Sequence, residues 1–229
     1  VENANGEFLP FHDKWINRFV RAKDGALLSP ADTELLDRDF SETLARHLRE
    51  AHASLTTPGF RWGWKAPRSI YLLPLFHARY PGMKYIHVIR DGRDMAFSKN
   101  QNQLRKNGSA VLSWRERLFT SRAVRSIMLW DRVNLHAAAF CESNLKDNYL
   151  VIRFEDLCQK PVESTERILQ FMEVSGDAEE IARAEISPPS SLGRWRSQPP
   201  KVTEELNRVA TRSLQKFGYL SEMAVEPRS

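Results

Sequence analysis

Apolar side chains recur at helical spacing through residues 30–55, where Leu35, Leu36, Phe40, Leu44 and Leu48 share one face. Ser29 is placed to cap this helix and Pro30 suits its first turn, while Thr57-Pro58-Gly59 ends it. Residues 1–29 read as irregular, with a short apolar cluster at Trp15, Ile16, Phe19 and Val20. Residues 60–65 read as a short strand, Pro67 opens a helix to about Arg79, and Tyr80-Pro81-Gly82 is a turn. Residues 84–90 form the clearest strand, apolar almost throughout as in a strand covered on both faces. Asp91-Gly92 turns it into a helix from about Arg93, and a long helix follows from about Ser121 to Leu145. A second buried strand spans 148–154, with helices near 161–173, 177–185 and 201–217. Strands alternating with helices predict an α/β fold with a parallel sheet and crossover helices. In such sheets ligands sit beyond the carboxyl ends of the strands.

Composition narrows this picture only a little. The 229 residues are 41% hydrophobic and 28% charged, which excludes collagen-like and disordered chains and suits one globular domain spanning 1–229. No apolar run approaches the roughly 20 residues of a membrane span. Lys+Arg of 34 against Asp+Glu of 29 gives +5, an excess that favours anionic ligands without choosing among them. The basic residues are spread along the chain, so a nucleic-acid arm is not expected. Cys141 and Cys158 are too few for a disulfide framework and read as reduced thiols, pointing to a cytoplasmic location. The chain opens Val1-Glu2-Asn3 with no initiator Met and no signal-peptide pattern, so an N-terminal truncation is expected.

The informative block is Arg90-Asp91-Gly92-Arg93-Asp94-Met95-Ala96-Phe97-Ser98. Arg90 ends a strand, placing its guanidinium at the carboxyl edge of the sheet beside a helix N-terminus. Asp94 and Ser98, four apart, are expected on one helix face. Arg and Ser converging there suit a phosphomonoester, through charge-assisted bonds from the guanidinium and a neutral donor from the hydroxyl. The spacing supports equally a tight strand–helix connection, with Asp91 capping and the two arginines paired to the two aspartates.

Several ordered motifs together resemble the sulfotransferase family. They are Lys65-Ala66-Pro67-Arg68 with Leu72-Leu73-Pro74, then 85–94 with Ser98, then Val151-Ile152-Arg153-Phe154-Glu155-Asp156-Leu157. The likeness covers about residues 60–197. It implies a P-loop NTPase-like α/β fold and transfer of a sulfuryl group from 3'-phosphoadenosine 5'-phosphosulfate (PAPS) to a hydroxyl or amine on a small-molecule or glycan acceptor. The alternative is a non-catalytic nucleotide-binding relative. No metal and no nucleic-acid partner are implied. Arg90 and Ser98 match the pair that binds the donor's 3'-phosphate. Phe154 stands where relatives often carry a Tyr beside the adenine, and Gly193-Arg194-Trp195-Arg196 resembles the late segment that closes over the nucleotide. Pro188-Pro189-Ser190 stand where cytosolic relatives read Arg-Lys-Gly, so Arg194 and Arg196 are the expected substitutes in charge. Lys65 keeps the position of a catalytic lysine near the transferring group.

Two departures accompany the resemblance. The glycine- and Ser/Thr-containing loop that cradles the 5'-phosphosulfate is not found in this chain. Pro67 stands where cytosolic relatives have a catalytic histidine, and no base is assigned. Among other candidates, His47 and His52 are too far apart for an i, i+4 zinc pair, and His87 reads as a hydrogen-bonded core residue. His77 and His136 lie on helices with no chemistry implied. Trp114, Leu129, Trp130 and Val133 read as core, and Glu155-Asp156 as a helix cap or loop anchor.

Overall fold

The computed structural model describes Gly6 and residues 8–21, 29–50 and 61–220. The chain divides into two compact units, Val1–Leu73 and Pro74–Ser229. Thr57-Pro58-Gly59, Phe60 and His52 lie outside the described residues.

The first unit contains α1 (Phe8–Arg21) and α2 (Pro30–Glu50), then a 3-10 turn, Pro67–Tyr71. Helix α1 replaces the irregular segment expected before residue 29. Its Phe8, Phe11, Trp15 and Ile16 are buried, a spacing of three and four that lines one helix face. Phe40 of α2 meets Phe11 edge-on at 5.4 Å. The Trp15 indole donates to Asp39 at 2.9 Å. Residues 61–66 are not a strand and carry no regular structure. Trp64 instead stacks on Phe8 at 5.2 Å and on Trp62 at 5.9 Å, so packing rather than a ladder holds this segment. Burial, aided by the Arg68 charge, holds His12 down to about 4; its ring reaches Ser69 Oγ at 3.1 Å.

Helix α3 (Leu73–Arg79) starts at the boundary. The second unit is built on two parallel strands, β1 (Tyr85–Ile89) and β2 (Tyr149–Arg153), in the register Tyr85↔Tyr149 to Ile89↔Arg153. Between them run α4 (Gly92–Ala96), α5 (Asn102–Val111), α6 (Trp114–Phe119) and α7 (Arg122–Asn144). After β2 come α8 (Phe154–Gln159), α9 (Pro161–Met172), α10 (Ala178–Glu185), α11 (Pro200–Val209) and α12 (Thr211–Lys216). The helix expected over 201–217 is therefore broken at Ala210. The α/β class and the parallel pairing stand, in a mostly helical unit with a small sheet.

Ser121 caps α7 by accepting from the Val124 amide at 3.2 Å. The apolar face of α7 then forms the core, with Val124, Ile127, Trp130 and Ala138 packed with Ile89, Leu206, Leu214 and Phe217. Trp114 was expected in this core but is 60% exposed. The sheet is also less covered than expected: His87 and Ile89 are buried, but Val88 between them is 50% exposed. His87 is the satisfied core residue expected, held by Tyr149 Oη at 2.9 Å and Asn134 Oδ1 at 2.8 Å. Burial lowers its pKa and keeps the ring neutral.

Gly92 is dictated by Trp130. The indole donates to the Arg90 carbonyl at 3.0 Å. That bond brings the ring so close that a Cβ on residue 92 would sit 2.4 Å from its carbons. Replacing a helical glycine by alanine ordinarily gains up to about 1 kcal/mol. Here the clash reverses the sign, because Trp130 is itself wedged edge-on against Phe217 and Tyr219. Gly92→Ala should lose about 1–3 kcal/mol of stability by urea denaturation, the usual cost of overpacking. A neutral or stabilising result would show that Trp130 is free to yield.

Candidate functional site

The site begins where β1 ends. Arg90 leaves the strand, Asp91 caps α4 by accepting from the Arg93 amide at 2.8 Å, and α4 runs for five residues. Asp94, 1% exposed, accepts three hydrogen bonds. Arg90 Nη2 donates at 3.0 Å and the Gly193 amide at 2.8 Å, both to Oδ2. The Trp195 amide donates to Oδ1 at 3.2 Å. A buried carboxylate needs such compensation, and it obtains most of it from a loop a hundred residues further along. Gly193 sits in the left-handed region, φ 73°, which lets the chain turn its amide inward and enter the 3-10 turn Arg194–Ser197.

Arg90 is held by more than Asp94. Its Nη2 also donates to the Ser191 carbonyl at 2.6 Å and lies 3.1 Å from Ser191 Oγ. The guanidinium stands 5.3 Å from the centre of the Phe154 ring. Its Nε is buried and has no hydrogen-bond partner. Arg194 turns back on the same loop, donating from Nε to the Ser191 carbonyl at 3.1 Å and reaching the Phe97 carbonyl at 3.5 Å.

Arg93 closes the other side of α4. It grips Asp91 with Nη2 at 2.7 Å and Nε at 3.0 Å. It also donates to Asn207 Oδ1 at 3.0 Å and the Tyr219 carbonyl at 3.1 Å. The Trp195 ring covers it, 3.8 Å from guanidinium carbon to ring centre. Glu155 accepts from the Asp91 amide at 3.0 Å and from the Tyr219 hydroxyl at 2.8 Å. Glu155 is thus an anchor for the strand–helix turn, as one of its two expected roles had it. Burial, reinforced by the Glu155 charge, pushes the Tyr219 phenol up, so it remains a donor. A cavity of about 670 Å³ opens beside this network, lined by Gly193, Trp195, Arg196, Arg153 and Tyr219 among others.

The expected site residues are thus only partly gathered. Arg90, Phe154, Gly193 and Arg194 meet around the 191–195 loop. Arg196 is exposed against the Trp195 ring at 5.5 Å and lines the cavity, whereas Arg90 and Phe154 lie outside its lining. Phe154 does not end β2 but opens α8. Ser98 does not share a helix face with Asp94, because α4 stops at Ala96; its Oγ accepts from the Asn100 amide at 3.2 Å, and among the described residues no hydrogen bond joins it to Arg90. Lys65 belongs to the first unit and is exposed in the segment 61–66, not at a strand end. Sequence spacing offered pairing of the two arginines with the two aspartates as one of two readings, and the pairs that form are Arg90–Asp94 and Arg93–Asp91. It gave no sign that Asp94 fastens the late loop or that Trp195 covers Arg93.

The model of the sulfotransferase family matches residues 11–178, well over half of the chain, and the chain belongs to that family. The match takes in Arg90, Asp94 and Phe154 and ends before Gly193. No curated protein and no solved structure matches the chain. Among the described residues no group of His, Cys, Asp or Glu is arranged to hold a metal ion, and no helix is long and apolar enough to cross a membrane. Both cysteines are free and buried, and burial pushes the Cys141 thiol up to about 12.

If Asp94 is the loop's main fastening, Asp94→Asn should loosen it while the helix core stays folded. The amides of Gly193 and Trp195 should exchange with deuterium at least about tenfold faster, the equivalent of 1.4 kcal/mol, against unchanged rates along α7. Unchanged exchange at both amides would show that the loop is held elsewhere.

Proposed function

We propose that the chain is a PAPS-dependent sulfotransferase acting on a hydroxyl or amine acceptor, and that Arg90 binds the donor's 3'-phosphate. Family membership supports sulfuryl transfer in general. The observation that carries the finer reading is the state of Arg90. Its Nη2 edge is fixed by Asp94 and Ser191, while its buried Nε has no acceptor. A buried guanidinium N–H without a partner costs free energy that an entering phosphate oxygen would recover. Phe154 supports the same placement, since an aromatic face beside that guanidinium offers packing for a purine ring. Ser98 would join from the loop after α4, and Gly193, Arg194 and Arg196 would border the nucleotide from the late loop.

The donor supplies an activated sulfuryl group, and the chain supplies position and charge. Sulfuryl transfer parallels phosphoryl transfer, in which alignment and fixed positive groups do most of the work. Lys65, exposed and cationic, is the residue we assign to the charge that develops on the transferring group. No residue is assigned as general base, and none of these roles calls for a metal.

Calorimetry with adenosine 3',5'-bisphosphate and with 5'-AMP tests the phosphate assignment. Arg90→Ala should weaken the bisphosphate by about 1.5–3 kcal/mol and leave 5'-AMP nearly unchanged. Arg90→Lys keeps Asp94 paired and separates lost recognition from lost packing. It should still discriminate against the bisphosphate, because an ammonium cannot replace the fork. Equal weakening of both nucleotides would move the 3'-phosphate away from Arg90.

A further inference from the structure

Several described cations of the second unit are paired with carboxylates, among them Arg90 with Asp94, Arg93 with Asp91, Arg132 with Glu116, Arg183 with Glu179 and Lys216 with Glu142. A different set lines one hollow. Lys99, Arg105, Arg117, Arg122 and Arg125 border a cavity of about 590 Å³ between α5, α6 and the start of α7. No carboxylate lines it, and among the described residues none of these five forms an ion pair. Residues 99–125 contain seven Lys or Arg and a single acidic residue, Glu116. Glu116 is taken: it pairs with Arg132 and closes the capping box of α6 with Ser113. The Arg132 hydrogen bond, first, holds its carboxyl down to about 2.

Five like charges around one hollow sum to a positive potential there, which favours entry of an anion. Arg125 sharpens the point: its Nη1 donates to the Arg117 carbonyl, and its Nε is buried without a partner. The rest of the lining selects among anions. Asn100 and Asn102 add the amide N–H groups of their side chains, suited to hydroxyl groups, while Gln101 Nε2 is engaged with the Met95 and Ser98 carbonyls at 3.0 and 2.8 Å and Asn102 Oδ1 accepts from Arg105. No aromatic ring lines the cavity, so a nucleotide base has nothing to stack on there. The volume is that of a small-ligand site.

We infer that this hollow binds an acidic saccharide, a hydroxyl-rich ligand carrying several sulfate or carboxylate groups. Under the sulfotransferase reading, on which only this last role rests, it is where the acceptor docks. Lys99 opens it one residue after Ser98, which that reading assigns to the donor.

The test is calorimetry on the full chain with a fully sulfated heparin tetrasaccharide, maltotetraose as its uncharged counterpart, and the single-stranded oligonucleotide dT12. Adenosine 3',5'-bisphosphate is titrated separately and as a competitor. The tetrasaccharide should bind and weaken steeply with added salt, and maltotetraose should bind at least about a hundredfold more weakly. Arg117→Gln and Arg122→Gln, both exposed, should each reduce tetrasaccharide affinity about tenfold or more, the usual loss for one charge-assisted contact. Arg115→Gln, equally close in sequence but outside the lining, should change it less than about twofold. Bisphosphate affinity should be the same in all three variants. The inference is overturned if the tetrasaccharide fails to bind, if Arg115→Gln weakens it as much as the lining variants, if dT12 binds as tightly, or if the bisphosphate displaces it. Tetrasaccharide binding without any bisphosphate binding would sink the donor assignment and leave this one standing.

Discussion

One buried carboxylate organises the candidate site. Asp94 has almost no contact with water and would be costly to bury alone. It is compensated by a guanidinium from the end of β1 and by two backbone amides from the 191–195 loop. Every neighbouring feature follows from that demand. Gly193 takes a left-handed conformation to aim its amide at Asp94, which brings Trp195 over Arg93. Arg93 in turn ties α4 to α11 and to the segment after α12 through Asn207 and the Tyr219 carbonyl. Arg90 is left with one edge fully engaged and one buried donor unmet.

The elements that could be read from sequence are those whose signal is local. The two strands are continuous apolar runs, and α7 has a capping serine followed by a long periodic face. Helix α1 carried the same kind of signal in Phe8, Phe11, Trp15 and Ile16, obscured by Gly6 and Pro10 nearby. The alternation of Phe60, Trp62 and Trp64 looks like a strand, yet within the described residues Trp62 and Trp64 stack on each other, and Trp64 on Phe8, without a ladder partner. Exposure of Val88 and Trp114 is a property of what lies opposite them in space, which periodicity does not encode.

The site shows the same division. The block 90–98 offered an anion site and a paired strand–helix turn as equal readings, and the pairs form while Arg90 keeps a donor in reserve. Helix α4 ends after five residues, so counting four positions from Asp94 to Ser98 misplaced the serine. Contacts between residues 94 and 195, or 93 and 219, join segments about a hundred residues apart, and no spacing rule reaches that far. The charge of the chain divides likewise: +5 overall says little, whereas the structure shows which guanidinium donors are already engaged and which, like Arg90 Nε, are left without a partner.

The central claim is that the unmet Nε donor of Arg90 receives a phosphate oxygen. Phosphorus NMR of adenosine 3',5'-bisphosphate titrated with the protein observes the two phosphates separately. The account predicts that the 3' resonance shifts on binding and that Arg90→Lys removes most of this shift while the 5' resonance behaves as before. A shift confined to the 5' phosphorus, or a 3' shift indifferent to Arg90, would contradict it.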